Sequence, residues 1–145
     1  MTKLNVISPI HRATRQITLR LEVDGKPLGV SSPEGHILSY LGSYAPCSVG
    51  ELHRVFGMKK STLTSLLDRF EHRGWCLRAV DPSNRRSFIV SLTEEGAKMG
   101  RQMTQFALAL DDQIASRLRP SDLEGFRNVM KVIEEVTGMI VRPQK

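Results

Sequence analysis

Leu63, Leu66, Leu67 and Phe70 recur at i, i+3, i+4 and i+7, and the pattern stops at Gly74. That spacing puts four large apolar groups on one face of a helix, and glycine is the residue that most readily ends one. Immediately afterwards the period changes. Phe88, Val90 and Leu92 alternate with Ile89 and Ser91, and the turn-forming run Asp81-Pro82-Ser83-Asn84 separates this stretch from Cys76-Leu77-Arg78-Ala79-Val80. Alternation in the second run, with a turn cluster before it, predicts a two-stranded hairpin. The chain must therefore fold so that a one-faced helix leads directly into a strand pair, which excludes simple bundles and all-β folds.

The remaining elements follow from start and stop signals. Ser8-Pro9 predicts the start of a first helix carrying Ile10, Ile17 and Leu21, and Asp24-Gly25-Lys26-Pro27 ends it. Ser32-Pro33-Glu34 opens a second helix, with Ile37, Leu38, Leu41 and Tyr44 on one side. Residues 45–47 are expected to be a loop. Ser48 and Glu51 fit a capping box for a short helix bearing Leu52, Val55 and Phe56, closed by Gly57. Thr93-Glu94-Glu95 opens a long helix with Met103, Phe106, Leu110 and Ile114. Pro120 interrupts, and Ser121 with Glu124 suggests a second capping box for a last helix with Leu123, Phe126, Met130, Ile133 and Val136. Three helices, a glycine stop and a hairpin, in that order, describe a winged helix-turn-helix. The expected class is mainly α with a small β-hairpin.

Length and composition narrow the chemistry. The 145 residues suffice for one domain or a two-lobed subunit with a real core, and 40% hydrophobic with 25% charged residues is ordinary globular usage. No apolar run is long enough to span a bilayer, and the first residues lack the pattern of a secretion signal, so a cytoplasmic protein is expected. Cys47 and Cys76 form no metal motif, and His11, His36, His53 and His72 lack ligand spacing, so neither metal nor cofactor is expected. There is no phosphate-binding glycine loop, nucleophile elbow or recognisable carboxylate pair, so an enzyme is not expected.

The net charge is +6, unevenly spread. Residues 1–30 hold five Lys/Arg against two Asp/Glu, residues 31–93 eight against five, and residues 94–145 eight against eight. A basic segment joined to a neutral one suits an anionic partner at one end and a protein partner at the other, although the same charge also serves solubility. Opposite the leucines, the clearest helix carries Ser61, Thr62, Thr64, Ser65, Arg69 and His72, with Lys59 and Lys60 at its start. Small hydroxyl groups let a helix backbone approach base edges in a major groove, and lysines at a helix N-terminus add to its attraction for phosphate. Arg85 and Arg86 sit at the hairpin turn, where arginines suit a narrow, negative minor groove. Double-stranded DNA is the expected partner. A winged helix that binds only protein would keep the leucines but has no need of these four cations.

The segment SVGELHRVFGMKKSTLTSLLDRFEHRGWCLRAVDPSNRRSFIVSLT, residues 48–93, resembles the multiple antibiotic resistance regulator (MarR) family. The resemblance rests on SxxEL, the STLTSLLDRFEHRG helix, the DPSNRR wing and the closing SLTEEG. It implies residues 31–93 as the winged helix-turn-helix and residues 1–30 and 94–145 as a helical dimerisation region. It also implies a homodimer that binds pseudo-palindromic DNA, most often as a repressor relieved by a ligand or an oxidant. By the same resemblance Asp68 pairs with the wing arginine Arg86 rather than facing DNA. Two departures stand out. Asn84 occupies a wing position that is usually aspartate, and Ser65 one that is often longer and basic. Cys47 or Cys76 would be needed for redox sensing, but free cysteines are most often small core residues. His11 and Arg15 share a helix face and could meet a carboxylate effector between the two lobes; a solvated face or a phosphate contact are the other uses open to them.

Overall fold

The computed structural model describes residues 2–141. Six α-helices and three short strands run in the order α1 Ile7–Gly25, α2 Ser32–Tyr44, β1 Cys47–Ser48, α3 Val49–Phe56, α4 Lys60–His72, β2 Cys76–Asp81, β3 Asn84–Leu92, α5 Glu94–Ala115 and α6 Pro120–Thr137, with a single 3-10 turn at Lys26–Leu28. The expected class holds, with one addition. Residues 45–47 do not form only a loop: β1 pairs antiparallel with β3, Cys47 opposite Val90, so the sheet has three strands in the order β1-β3-β2. A two-residue strand is too short to show alternation and exists only because β3 offers it an edge.

The core lies where the leucine stripe predicts it. Leu63, Leu66, Leu67 and Phe70 of α4 are buried with Ile37, Leu38 and Leu41 of α2, Leu52 of α3, and Val90 and Cys76 of the sheet. The caps are equally local. Ser31 Oγ accepts the Glu34 N–H at 3.3 Å while the Glu34 carboxylate accepts the Ser31 N–H at 3.1 Å, so the box closes one residue before the expected start. Ser48 Oγ accepts the Glu51 N–H at 3.0 Å. At α6 the cap is not Ser121 with Glu124. Asp122 accepts the Arg119 backbone N–H at 2.9 Å and also binds that arginine's guanidinium, because Pro120 occupies the first turn and moves the box two residues earlier. Similarly, α1 begins at Ile7, so Ser8 and Pro9 lie inside its first turn.

The end of α4 is sewn to the start of α5. Thr93 Oγ1 donates to Gly74 O at 2.5 Å and the Thr93 N–H to Trp75 O at 3.0 Å, while the Arg73 guanidinium lies 4.7 Å from the Trp75 ring centre and donates to Gly29 O at 2.8 Å. Gly96 passes so close that a Cβ there would sit 1.8 Å from Trp75 O. Glycine at this position is a packing requirement. The most extensive helix–helix contact is between α2 and α5, so α5 grips the winged-helix lobe at its start, whereas α6 buries no residue.

Candidate nucleic-acid interface

The turn between α3 and α4 is tight. Gly57 adopts the left-handed conformation at φ +62°, and the His53 ring Nδ1 lies 2.5 Å from Met58 O. This turn delivers α4 with its N-terminus outward. No side chain caps that end, no acidic residue occupies its first turn, and Lys59, Lys60, Ser61 and Thr62 are all exposed. The free backbone N–H groups and the two ammonium groups make it the positive end of a helix dipole. Thr64, Ser65 and Arg69 are also exposed, so every polar residue assigned to the open face of α4 is on the surface.

Asp68 is held differently from the expectation. Its carboxylate pairs with Arg78 of β2, which also binds Glu71 at 2.7 Å, and not with Arg86. The register explains the choice. Arg78 stands opposite Val90, mid-strand, on the face that turns toward α4, whereas Arg86 lies at the far end of the hairpin and is exposed. The hydrogen bond to Glu71, followed by that to Asp68, raises the guanidinium pKa above its ordinary value. The available signal is the i, i+2 spacing of Cys76 and Arg78, which puts Arg78 on the same side of β2 as a buried residue, where a charge requires a carboxylate partner.

The wing turn is built from its own side chains. Asp81 accepts the Ser83 N–H at 2.9 Å and the Ser83 hydroxyl at 2.7 Å, and that hydroxyl bond is the main reason its pKa is lowered. Asn84 Oδ1 accepts the Arg86 N–H at 3.1 Å. The amide oxygen therefore supplies the acceptor a carboxylate would give, without the negative charge. Arg85 and Arg86 are exposed and, among the described residues, form no ion pair. The electrostatic outcome is one-sided. Asp68 and Glu71 share Arg78, and Glu34 faces Arg69, while among the described residues Lys59, Lys60, Arg85 and Arg86 form no ion pair.

Both thiols are buried. Desolvation, reinforced by Glu51, pushes Cys47 up to about 12; desolvation and Glu71 push Cys76 up to about 11. Thiols held so firmly protonated are poor nucleophiles, which weighs against the redox-responsive alternative. Among the described residues no group of three or more His, Cys, Asp or Glu could hold a metal, and no helix is long and apolar enough to cross a membrane.

A cavity of about 280 Å³ lies between α1, α2 and α5. Thr14, Ile17, Thr18 and Leu21 form its α1 wall, so His11 and Arg15, both exposed, do not line it. The histidine that does is His36, whose ring meets Phe56 edge-on at 4.8 Å and whose pKa is lowered by burial on that side. Sequence patterns could not reveal this site, because three separated segments build it.

Helix-turn-helix, hairpin and three-stranded sheet define a winged-helix protein. The MarR family model matches residues 30–88, from just before α2 into β3. The chain is 30% identical over 79 residues to the multiple antibiotic resistance protein MarR of Escherichia coli, covering 54% of this chain and 55% of that protein. It is 34% identical over 74 residues to the uncharacterized HTH-type transcriptional regulator YfiV of Bacillus subtilis, covering 51% and 46%. The match thus spans about half the length of these relatives. Over a longer stretch it is 26% identical to the HTH-type transcriptional regulator PecS of Dickeya dadantii, covering 90% of this chain and 80% of that one. Among solved structures, the MepR–DNA complex of S. aureus superposes with a TM-score of 0.80 at 17% identity, covering 92% of this chain and 99% of MepR. A mutant MarR of E. coli complexed with operator DNA gives 0.76 at 23%, covering 90% and 94%. At these identities the superpositions establish a shared fold.

Proposed function

We propose that this chain is a sequence-specific regulator of transcription that binds duplex DNA as a homodimer. In this reading α4 enters the major groove, Ser61, Thr62, Thr64, Ser65 and Arg69 face the bases, and Lys59 and Lys60 meet phosphate. Asn84 shapes the wing, and Arg85 and Arg86 follow the adjacent minor groove. The observation that carries it is the charge pattern: every carboxylate on or facing α4 lies opposite an arginine, while the cations at the start of α4 and at the wing have no ion pair among the described residues. A wing designed only for protein contact has no use for that arrangement. The chain acts by binding, not catalysis, and works in the cytoplasm.

Dimerisation through residues 1–30 and 94–145 is supported by exposed apolar groups on α1 and α6, among them Ile7, Leu19, Phe126, Val129, Val132 and Val136. Contiguous apolar surface of this kind marks an interface on a soluble chain. A two-fold axis sets the recognition helices about 34–36 Å apart, one turn of the duplex. The cavity beside His36 suits a small apolar effector with a polar edge, whose binding relieves repression. The experiment is selection of bound fragments from random duplex DNA. The expected product is an inverted repeat with half-sites one helical turn apart; absence of any enriched sequence would overturn the proposal.

A further inference from the structure

The Glu34 side chain is only 9% exposed, and its two oxygens have unequal surroundings. One accepts the Ser31 N–H at 3.1 Å and closes the cap of α2. The other is buried with no hydrogen-bond partner, and the cation facing it is Arg69 Nε at 3.7 Å. A buried carboxylate oxygen without a donor is costly, so a residue serving only as a helix cap is poorly explained by glutamate, since glutamine caps equally well. Arg69 is the complement. Its side chain is 54% exposed, it lies on the third turn of α4, and this is its one ion pair among the described residues. With Nε turned to Glu34, neither terminal amino group of the guanidinium has an ion pair among the described residues.

We propose that Glu34 is a positioning residue for Arg69: it anchors the Nε edge so that the terminal amino groups are presented to one base. An arginine fixed at its inner edge loses less rotational freedom on binding, and its paired donors match N7 and O6 of guanine. Arg69 is then a specificity-determining residue and not another phosphate contact. The pair also connects two regions, since Ser31, the cap of α2, and Gly35, next to Glu34, line the cavity while Arg69 belongs to α4. The inference rests on the DNA-binding function proposed above.

Glu34→Gln tests it, because glutamine keeps the cap acceptor and removes only the charge. The probe is a duplex selected by the wild-type chain, together with variants that replace each guanine in turn. Simple electrostatics says that losing a negative charge near phosphate strengthens binding; positioning says that it weakens it. The expected result is a loss of roughly tenfold in affinity, with discrimination at one guanine per half-site lost and the slope against salt unchanged. Arg69→Ala should lose the same discrimination, and adding Glu34→Gln to it should cost nothing further. Glu34→Gln that binds as tightly as wild type, or losses that add in the double variant, would overturn the inference alone. A wild-type chain that selects no duplex would bring down the DNA-binding function and this inference with it.

Discussion

The winged-helix lobe and α6 are built from equally good local signals, yet they end in opposite states. Both have glycine helix stops in the left-handed conformation and both have apolar residues at helical spacing. In the lobe those residues are sealed: Ile37, Leu38, Leu52, Leu63, Leu67, Phe70 and Val90 are all fully buried. In α6 they are open, with Phe126 at 59% and Val136 at 81% exposure. Helix formation is therefore settled locally in both regions, but among the described residues only the first buries its apolar face. The second leaves its apolar residues on the surface, and the proposed role of α6 in assembly rests on that difference.

The largest expected effect breaks the first region. Phe70→Ala should lower stability by about 4 kcal/mol in chemical denaturation, through lost burial and the cavity it leaves. Next is Phe126→Asp in the second region. It should convert the proposed dimer to a monomer at micromolar concentration by analytical ultracentrifugation, while circular dichroism shows the helices of the lobe intact. If the variant stays dimeric, α6 is not the interface. Arg78→Ala should act on function without unfolding the lobe. It frees the wing strand and leaves Asp68 and Glu71 unneutralised beside phosphate, so affinity for duplex DNA should fall about tenfold. Asp68→Ala should cost less, because Glu71 still holds Arg78.

The smallest effect is one of pH and belongs to the lobe. Folding lowers the His36 pKa from its ordinary 6.5, so as pH falls the unfolded chain takes up that proton first. The stability involved is fully present above about 6.5, declines as pH drops toward the lower folded value, and stays lost beneath it. Melting temperatures between pH 7.5 and 5.5 should fall by a smaller amount in His36→Phe than in wild type. No matching buried group exists in α6, where no residue is buried.

What could be read in advance follows the range of the interactions. The stripe of α4, the hairpin, the Ser48 cap and the Gly57 and Gly74 stops are decided within a few residues, and the sequence displays them. Features that need distant partners were hidden. The strand β1 forms only against β3, the cavity needs α1, α2 and α5 together, and the pairing of Glu34 with Arg69 joins residues whose separation has no periodic signature. The partner of Asp68 lies between these cases. Its spacing of two from Cys76 puts Arg78 on the inner side of β2, but three-dimensional register decided that it, and not Arg86, reaches α4. Asn84 likewise keeps the turn acceptor while removing a charge, which only the hydrogen bond to Arg86 makes visible.

The most direct measurement is the salt dependence of binding to a selected duplex, for the wild-type chain and for the variant with Arg85→Ala and Arg86→Ala. Each phosphate neutralised by a side chain releases counterions, so log affinity should fall steeply and linearly with log salt, and the double variant should flatten that slope by roughly two per protomer. A flat response in the wild-type chain, or an unchanged slope in the variant, would contradict DNA binding by this face.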